Sequence, residues 1–182
     1  MKRVRKVAPD SVAAHRAGAR ATAPAVQLRA AVVTASDSRQ RADDASGDLL
    51  ADTLVGAGVQ LVDRRLVADD ARALETAIRG SLALGADVVL VTGGTGVSSR
   101  DVTPEVLRAL GGRTLTGFGE AFRALSFAEV GTAAWLSRAT AVVVDRAAVF
   151  ALPGSPAACR LALTQLILPE LSHLVAQLRR RD

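Results

Sequence analysis

From Leu28 onward, short apolar runs alternate with stretches whose apolar residues recur at helical spacing, so strands and helices are expected in turn along the chain. Residues 28–35 form the first strand-like run. A helix is expected over about residues 46–55, where Gly56 and Gly58 stop it, and residues 59–67 return as a strand. The next helix spans about residues 70–84 and is closed by Gly85. Residues 87–92 are the most apolar run and read as a strand buried on both faces. Thr103 and Pro104 suit the N-cap and first position of a short helix ending before Gly111 and Gly112. Two helical stretches, about residues 119–125 and 127–138, precede a hairpin-like strand pair at residues 140–144 and 148–152. Ser155 and Pro156 open the last helical region, in which Pro169 is expected to cause a break. Strands separated by helices call for an α/β domain with a largely parallel sheet covered by helices.

Residues 1–27 are rich in Ala, Arg and Pro and lack a sustained apolar period, which predicts a flexible basic extension ahead of one folded domain at residues 28–182. Charge sharpens that division. The chain of 182 residues carries a formal +5, yet residues 1–28 hold six basic side chains against one acidic, and the remainder balances 17 arginines against 17 acids. A neutral folded part with five aromatic rings and no tyrosine argues against a specific nucleic-acid surface. Cys159 is the one cysteine, so no intrachain disulfide is expected and a reducing cytoplasm fits. His15, Arg16 and Arg20 interrupt the alanines of the extension, which is unlike a secretory leader. The apolar runs at 30–33 and 88–91 fall well short of the roughly 20 residues of a membrane span, and a soluble protein is expected.

Several kinds of chemistry need residues that this chain lacks. Its only lysines are Lys2 and Lys6, which removes both a Walker A phosphate loop and Schiff-base chemistry from the folded part. His15, His173 and Cys159 are scattered, unlike the ligand clusters of a zinc site. His173 could serve as a general base, but no Gly-x-Ser-x-Gly nucleophile elbow accompanies it. Asp, Glu, Arg, Ser, Thr and backbone amides remain, a set suited to phosphate and magnesium chemistry.

The run at 88–92 ends in Gly93-Gly94-Thr95-Gly96, a loop whose backbone N–H groups can approach an anion without Cβ obstruction. A turn using its glycines for conformation alone is the other reading. Ser99 stands where a dinucleotide fingerprint needs a third glycine, which disfavours hydride transfer. Arg100 and Asp101 follow, just before the helix that opens at Thr103. Asp101 could favour the helix dipole or, beside polyphosphate, hold Mg²⁺.

Thr92 to Gly96 followed by Arg100-Asp101-Val102-Thr103-Pro104 resembles the signature of the Mog/MoaB family, which includes the G domain of gephyrin. Ser36-Asp37, Asp44-Ala45-Ser46-Gly47, Val67-Ala68-Asp69-Asp70, Gly117-Phe118-Gly119-Glu120, Leu136-Ser137-Arg138 and Leu152 to Pro156 agree in order and spacing. Residues 118–120, 127–130 and 153–156 read closer to the MoaB-type branch.

The resemblance implies a three-layer α/β/α fold and transfer of AMP from Mg-ATP to molybdopterin, giving adenylyl-molybdopterin and pyrophosphate. A noncatalytic molybdopterin-binding or scaffolding protein of the same fold is the alternative. Asp69 and Asp101 match the family's two acidic positions for adenylyl transfer and become candidate catalytic residues and Mg²⁺ ligands. Ser36, Asp37, Ser46, Gly47, Thr92, Gly93, Gly94, Thr95, Gly96, Arg100, Ser137, Arg138, Pro153, Gly154 and Ser155 are the matching candidates for binding pterin or nucleotide. Ser46 could instead cap its helix, Asp44 could stabilise that helix's positive end, and Ser155 could be an N-cap. Leu125, Phe127 and Trp135 are expected in the core or at a subunit contact. The resemblance also implies a homotrimer or hexamer, and admits contact with a molybdenum insertion protein.

Overall fold

The computed structural model describes residues 27–37 and 41–180. Six strands form one sheet: β1 (Arg29–Ala35), β2 (Gln60–Val67), β3 (Val88–Thr92), β4 (Arg113–Thr114), β5 (Thr140–Val144) and β6 (Ala147–Leu152), in the order β2-β1-β3-β6-β5-β4. β2, β1, β3 and β6 are parallel neighbours, while β5 runs antiparallel to β6 and β4 antiparallel to β5. All five residues of β3 and all six of β6 are buried, as expected for strands covered on both faces.

The α-helices are α1 (Ala45–Gly56), α2 (Ala71–Ala83), α3 (Thr103–Ala109), α4 (Thr116–Val130), α5 (Pro156–Ala162) and α6 (Leu168–Arg179). Alternation along β1 sorts its side chains between two cores. Ala30 and Val32 pack with Leu50 and Leu54 of α1, Phe122 of α4, Cys159 of α5 and Leu171 of α6. Ala31 and Val33 pack with Leu74 and Ile78 of α2 and Leu107 of α3. Helices thus cover both faces of a mostly parallel sheet, giving the expected three layers.

Several local expectations are corrected. Asp44, rather than Ser46, caps α1 and accepts from the Gly47 N–H at 3.0 Å. Thr103 lies inside α3 and does not cap it. Its hydroxyl donates to the Gly93 carbonyl at 2.8 Å and so joins the helix to the glycine loop. Residues 116–130 form one helix, followed by the 3-10 turn Gly131–Leu136, where a division after residue 125 was expected. The short β4, all exposed, was not foreseen. Pro169 does not break the last region: the π turn Leu163–Ile167 carries the chain directly into α6. Its wider turn admits a residue with no N–H to donate. The resulting helical run Pro156–Arg179, 24 residues, is by length and composition long and apolar enough to cross a membrane. Here Cys159, Ala162, Leu163, Ile167, Leu171 and Val175 pack into the core. Leu125, Phe127 and Trp135 are not core residues, since they are 37, 57 and 71% exposed. The basic extension lies outside the described residues up to Gln27, whose side-chain amide donates to the Gly58 carbonyl at 3.0 Å.

Candidate active site

Four parallel strands release their loops at one edge of the sheet, the general location of ligands in open α/β folds. Ser36 and Asp37 follow β1, Asp69 follows β2, the glycine loop follows β3, and Pro153 and Gly154 follow β6. Ala35, Ser36, Asp37, Asp69, Gly93, Ser98, Arg100, Asp101 and Gly154 line a cavity there of about 320 Å³.

Glycine is required twice in its wall. Gly93 has φ 104°, and a Cβ there would stand 2.2 Å from the Ala35 carbonyl oxygen. Gly94 has φ 61°, and its Cβ would stand 2.5 Å from Thr103 Oγ1 and 2.7 Å from Asp69 Oδ1. The loop can therefore lie against the end of β1 and beside Asp69 only without side chains. Thr92 fixes the other wall: its hydroxyl, buried, donates to the Pro153 carbonyl at 2.9 Å.

Three carboxylates face this space. Asp37 Oδ1 accepts the Asp69 N–H at 2.9 Å, which sets the Asp69 backbone. Asp101 Oδ2 accepts the Ser98 N–H at 2.8 Å while the Asp101 N–H donates to the Ser98 carbonyl at 3.0 Å, closing a tight turn. Asp69 Oδ1 is buried and, among the described residues, has no hydrogen-bond partner. Burial, then the charges of Asp101 and Asp37, push the Asp69 carboxyl above its ordinary range, and Arg100 only partly opposes them. Among the described residues, that oxygen thus faces more negative than positive charge. Among the described residues no group of three or more His, Cys, Asp or Glu is arranged to hold a metal. One or two carboxylates with substrate phosphates is instead how Mg²⁺ is ordinarily held, and the unpartnered Asp69 oxygen suits that arrangement.

The expected residues divide by position. Ser36, Asp37, Asp69, Gly93, Arg100, Asp101 and Gly154 come together on the cavity lining. Gly94 and Gly96 adjoin it, beside Asp69 and Asp101 respectively. Thr92 and Thr95 are buried behind it. Ser155 caps α5 and accepts from the Ala158 N–H at 3.2 Å. Ser46 and Gly47 are buried against Asp44, away from the lining. Ser137 Oγ accepts the Ala139 N–H at 3.3 Å. Arg138 directs its guanidinium to the glycine loop and to Glu105. Burial raises the Glu105 carboxyl, but hydrogen bonds and charge from Arg138, with Arg108, outweigh it and hold the group below its ordinary range. Ser98 was not anticipated on the lining; its place three residues before Asp101 is the spacing that closes their turn.

A family described as "Probable molybdopterin binding domain" matches residues 31–173. Molybdenum cofactor biosynthesis protein B of Bacillus cereus is 43% identical over 157 residues, which are 85% of this chain and 93% of that protein. The structure described as tungsten cofactor synthesizing protein MoaB from Pyrococcus furiosus aligns at a TM-score of 0.79 with 37% identity, covering 87% of this chain and 100% of its own. A MogA structure aligns at 0.75 with 31% identity, covering 82 and 99%. With most of its length matched in both sequence and fold, the chain belongs to the molybdopterin-binding family of molybdenum cofactor biosynthesis proteins that includes MoaB and MogA.

Proposed function

We propose that the protein transfers AMP from Mg-ATP to the terminal phosphate of molybdopterin. The observation that carries this reading is Asp69 Oδ1, buried without a donor among the described residues and crowded by Asp101 and Asp37 at the end of a glycine loop. Such a cluster favours a cation arriving with phosphate. In the reaction a phosphate oxygen of molybdopterin bonds to the α-phosphorus of ATP, the bond from that phosphorus to the bridging oxygen breaks, and pyrophosphate leaves. Attack by an already anionic oxygen needs positioning and charge neutralisation rather than a strong base. Magnesium, when bound, supplies that neutralisation. Asp69 and Asp101 would hold it, Asp37 would orient Asp69, and Arg100 would add positive charge at the rim. Ser36, Gly154 and the Thr92 to Gly96 loop would shape the binding surface for pterin and nucleotide phosphates, with Pro153 and Ser155 setting the Gly154 turn. Ser46, Gly47 and Ser137 would support this surface from behind.

Incubation with molybdopterin and Mg-ATP should yield adenylyl-molybdopterin. Pterin binding with no product, under conditions where an active relative forms it, would replace this reading with a noncatalytic carrier or scaffold.

On the same reading the protein works in the cytoplasm as a homotrimer or hexamer, and could hand its product to a molybdenum insertion protein. Phe127, Val130, Trp135 and Leu136, 57, 55, 71 and 40% exposed at the end of α4 and in the turn after it, support self-association. Sedimentation as a monomer at micromolar concentration would overturn the oligomer.

A further inference from the structure

Arg138 stands at the junction between the 3-10 turn Gly131–Leu136 and β5. It is not on the cavity lining, yet its donors reach the loop that forms the cavity wall. Its backbone N–H donates to the Thr95 carbonyl at 2.9 Å. In the side chain, Nε donates to the Gly96 carbonyl, Nη2 to the Asp101 carbonyl and Nη1 to Glu105 Oε1, each at 2.6 Å. One guanidinium therefore ties both ends of the segment 96–101 to each other and to the first turn of α3. Ser98, Arg100 and Asp101 of the cavity lie within or at the end of that segment. Residues 97–100 are exposed, so burial does little to fix them.

We propose that Arg138 is a positioning residue that sets the span between Gly96 and Asp101, and thereby the place of the Asp101 carboxylate relative to Asp69. The kinetic part of this proposal rests on the adenylyl-transfer reading, whereas the structural part does not. Arginine suits the task because its planar fork presents several donors in fixed directions. Lysine keeps the charge but offers one compact ammonium, which cannot span two carbonyls and a carboxylate in the same way.

Wild type, Arg138→Lys, Arg138→Ala and Glu105→Gln are compared by thermal unfolding, amide hydrogen exchange and steady-state kinetics with molybdopterin and Mg-ATP. In Arg138→Lys, exchange at residues 98–101 should accelerate by about tenfold or more while exchange in β3 is unchanged, since the loop opens locally rather than globally. Turnover should fall by about 100-fold, a loss on the scale of a misplaced reacting geometry, with KM for ATP within about threefold. Glu105→Gln keeps the two carbonyl bridges and should change turnover by less than about threefold. Should Arg138→Ala fail to fold, Arg138→Lys decides the matter. Unchanged loop exchange in Arg138→Lys overturns the proposal, and so does a raised KM at constant turnover, which would mean direct contact with substrate. If wild type forms no adenylyl product, that reading falls while the exchange measurement still tests Arg138.

Discussion

Asp44 and Asp69 carry the same side chain near the same edge of the sheet, one against the end of β1 and the other just beyond β2. Asp44 is 1% exposed, and its oxygens accept from Thr34 Oγ1, Ser46 Oγ, the Gly47 N–H and Arg64 Nη2. Asp69 is more open, but among the described residues one of its oxygens is buried with no donor and the nearby charges are mainly negative. A carboxylate surrounded by donors locks the entry of α1. One crowded by carboxylates is left with little to neutralise it. Residue type alone does not distinguish them; the donors within reach do.

The largest expected effect is on the satisfied side. Asp44→Ala removes the α1 cap and the buried partner of Arg64, although Asp48 still pairs with that arginine. A loss of about 3 kcal/mol is expected from breaking such a network, measurable by urea unfolding, and a loss below about 1 kcal/mol would erase the contrast. Asp101→Asn should act on the other side, lowering AMP transfer by about 100-fold while pterin binding and melting temperature hardly change. A stable variant with normal transfer would remove Asp101 from the chemistry. Loss of about 0.3 to 1 kcal/mol with intact turnover would instead show helix support.

Asp69→Asn should raise stability at neutral pH while lowering transfer. The folded carboxyl titrates above its ordinary value of 3.8, so the folded state binds that proton more tightly than the unfolded state. Wild type therefore loses stability relative to the variant as pH rises from 3.8 through the raised folded value, and the gap then stays constant. Parallel melting curves across acid pH check this, and a variant no more stable at pH 7 would contradict the crowding. Removal of residues 1–26 should have the smallest effect, leaving turnover within about twofold and melting within about 2 °C, because among the described residues the packed cores begin with Leu28 and Ala30. Unfolding or dissociation of the shortened chain would assign the extension a structural role.

The strands were legible because β1, β3 and β6 are continuous apolar runs, and glycines marked several helix ends. β4 was not, since Arg113 and Thr114 are exposed and their placement depends on pairing with Val142 and Val143. The glycine loop and Asp101 stood out as chemistry-bearing residue types, whereas Asp69 came forward only through the family resemblance. Which groups actually meet did not. Arg138 bonds carbonyls 42 and 37 residues away, and a backbone acceptor leaves no mark in the sequence. The choice of Asp44 over Ser46 as the cap likewise turned on Thr34 and Arg64, which the helix sequence does not contain.

The sheet order has a consequence for synthesis. β3 pairs with β1 on one side and β6 on the other, and the Thr92 hydroxyl meets a carbonyl 61 residues later in the chain. A nascent chain that has emerged only through α3 can assemble β2, β1 and β3. β3 is then an open edge of four apolar residues and a threonine, VVLVT, with unpaired amides and carbonyls and no charge to discourage another strand. The cavity wall formed by Gly154 appears only after β6 has closed that edge. The interval of translation between α3 and β6 is therefore the period in which that edge stands open, and the cavity is complete only once Gly154 has been made.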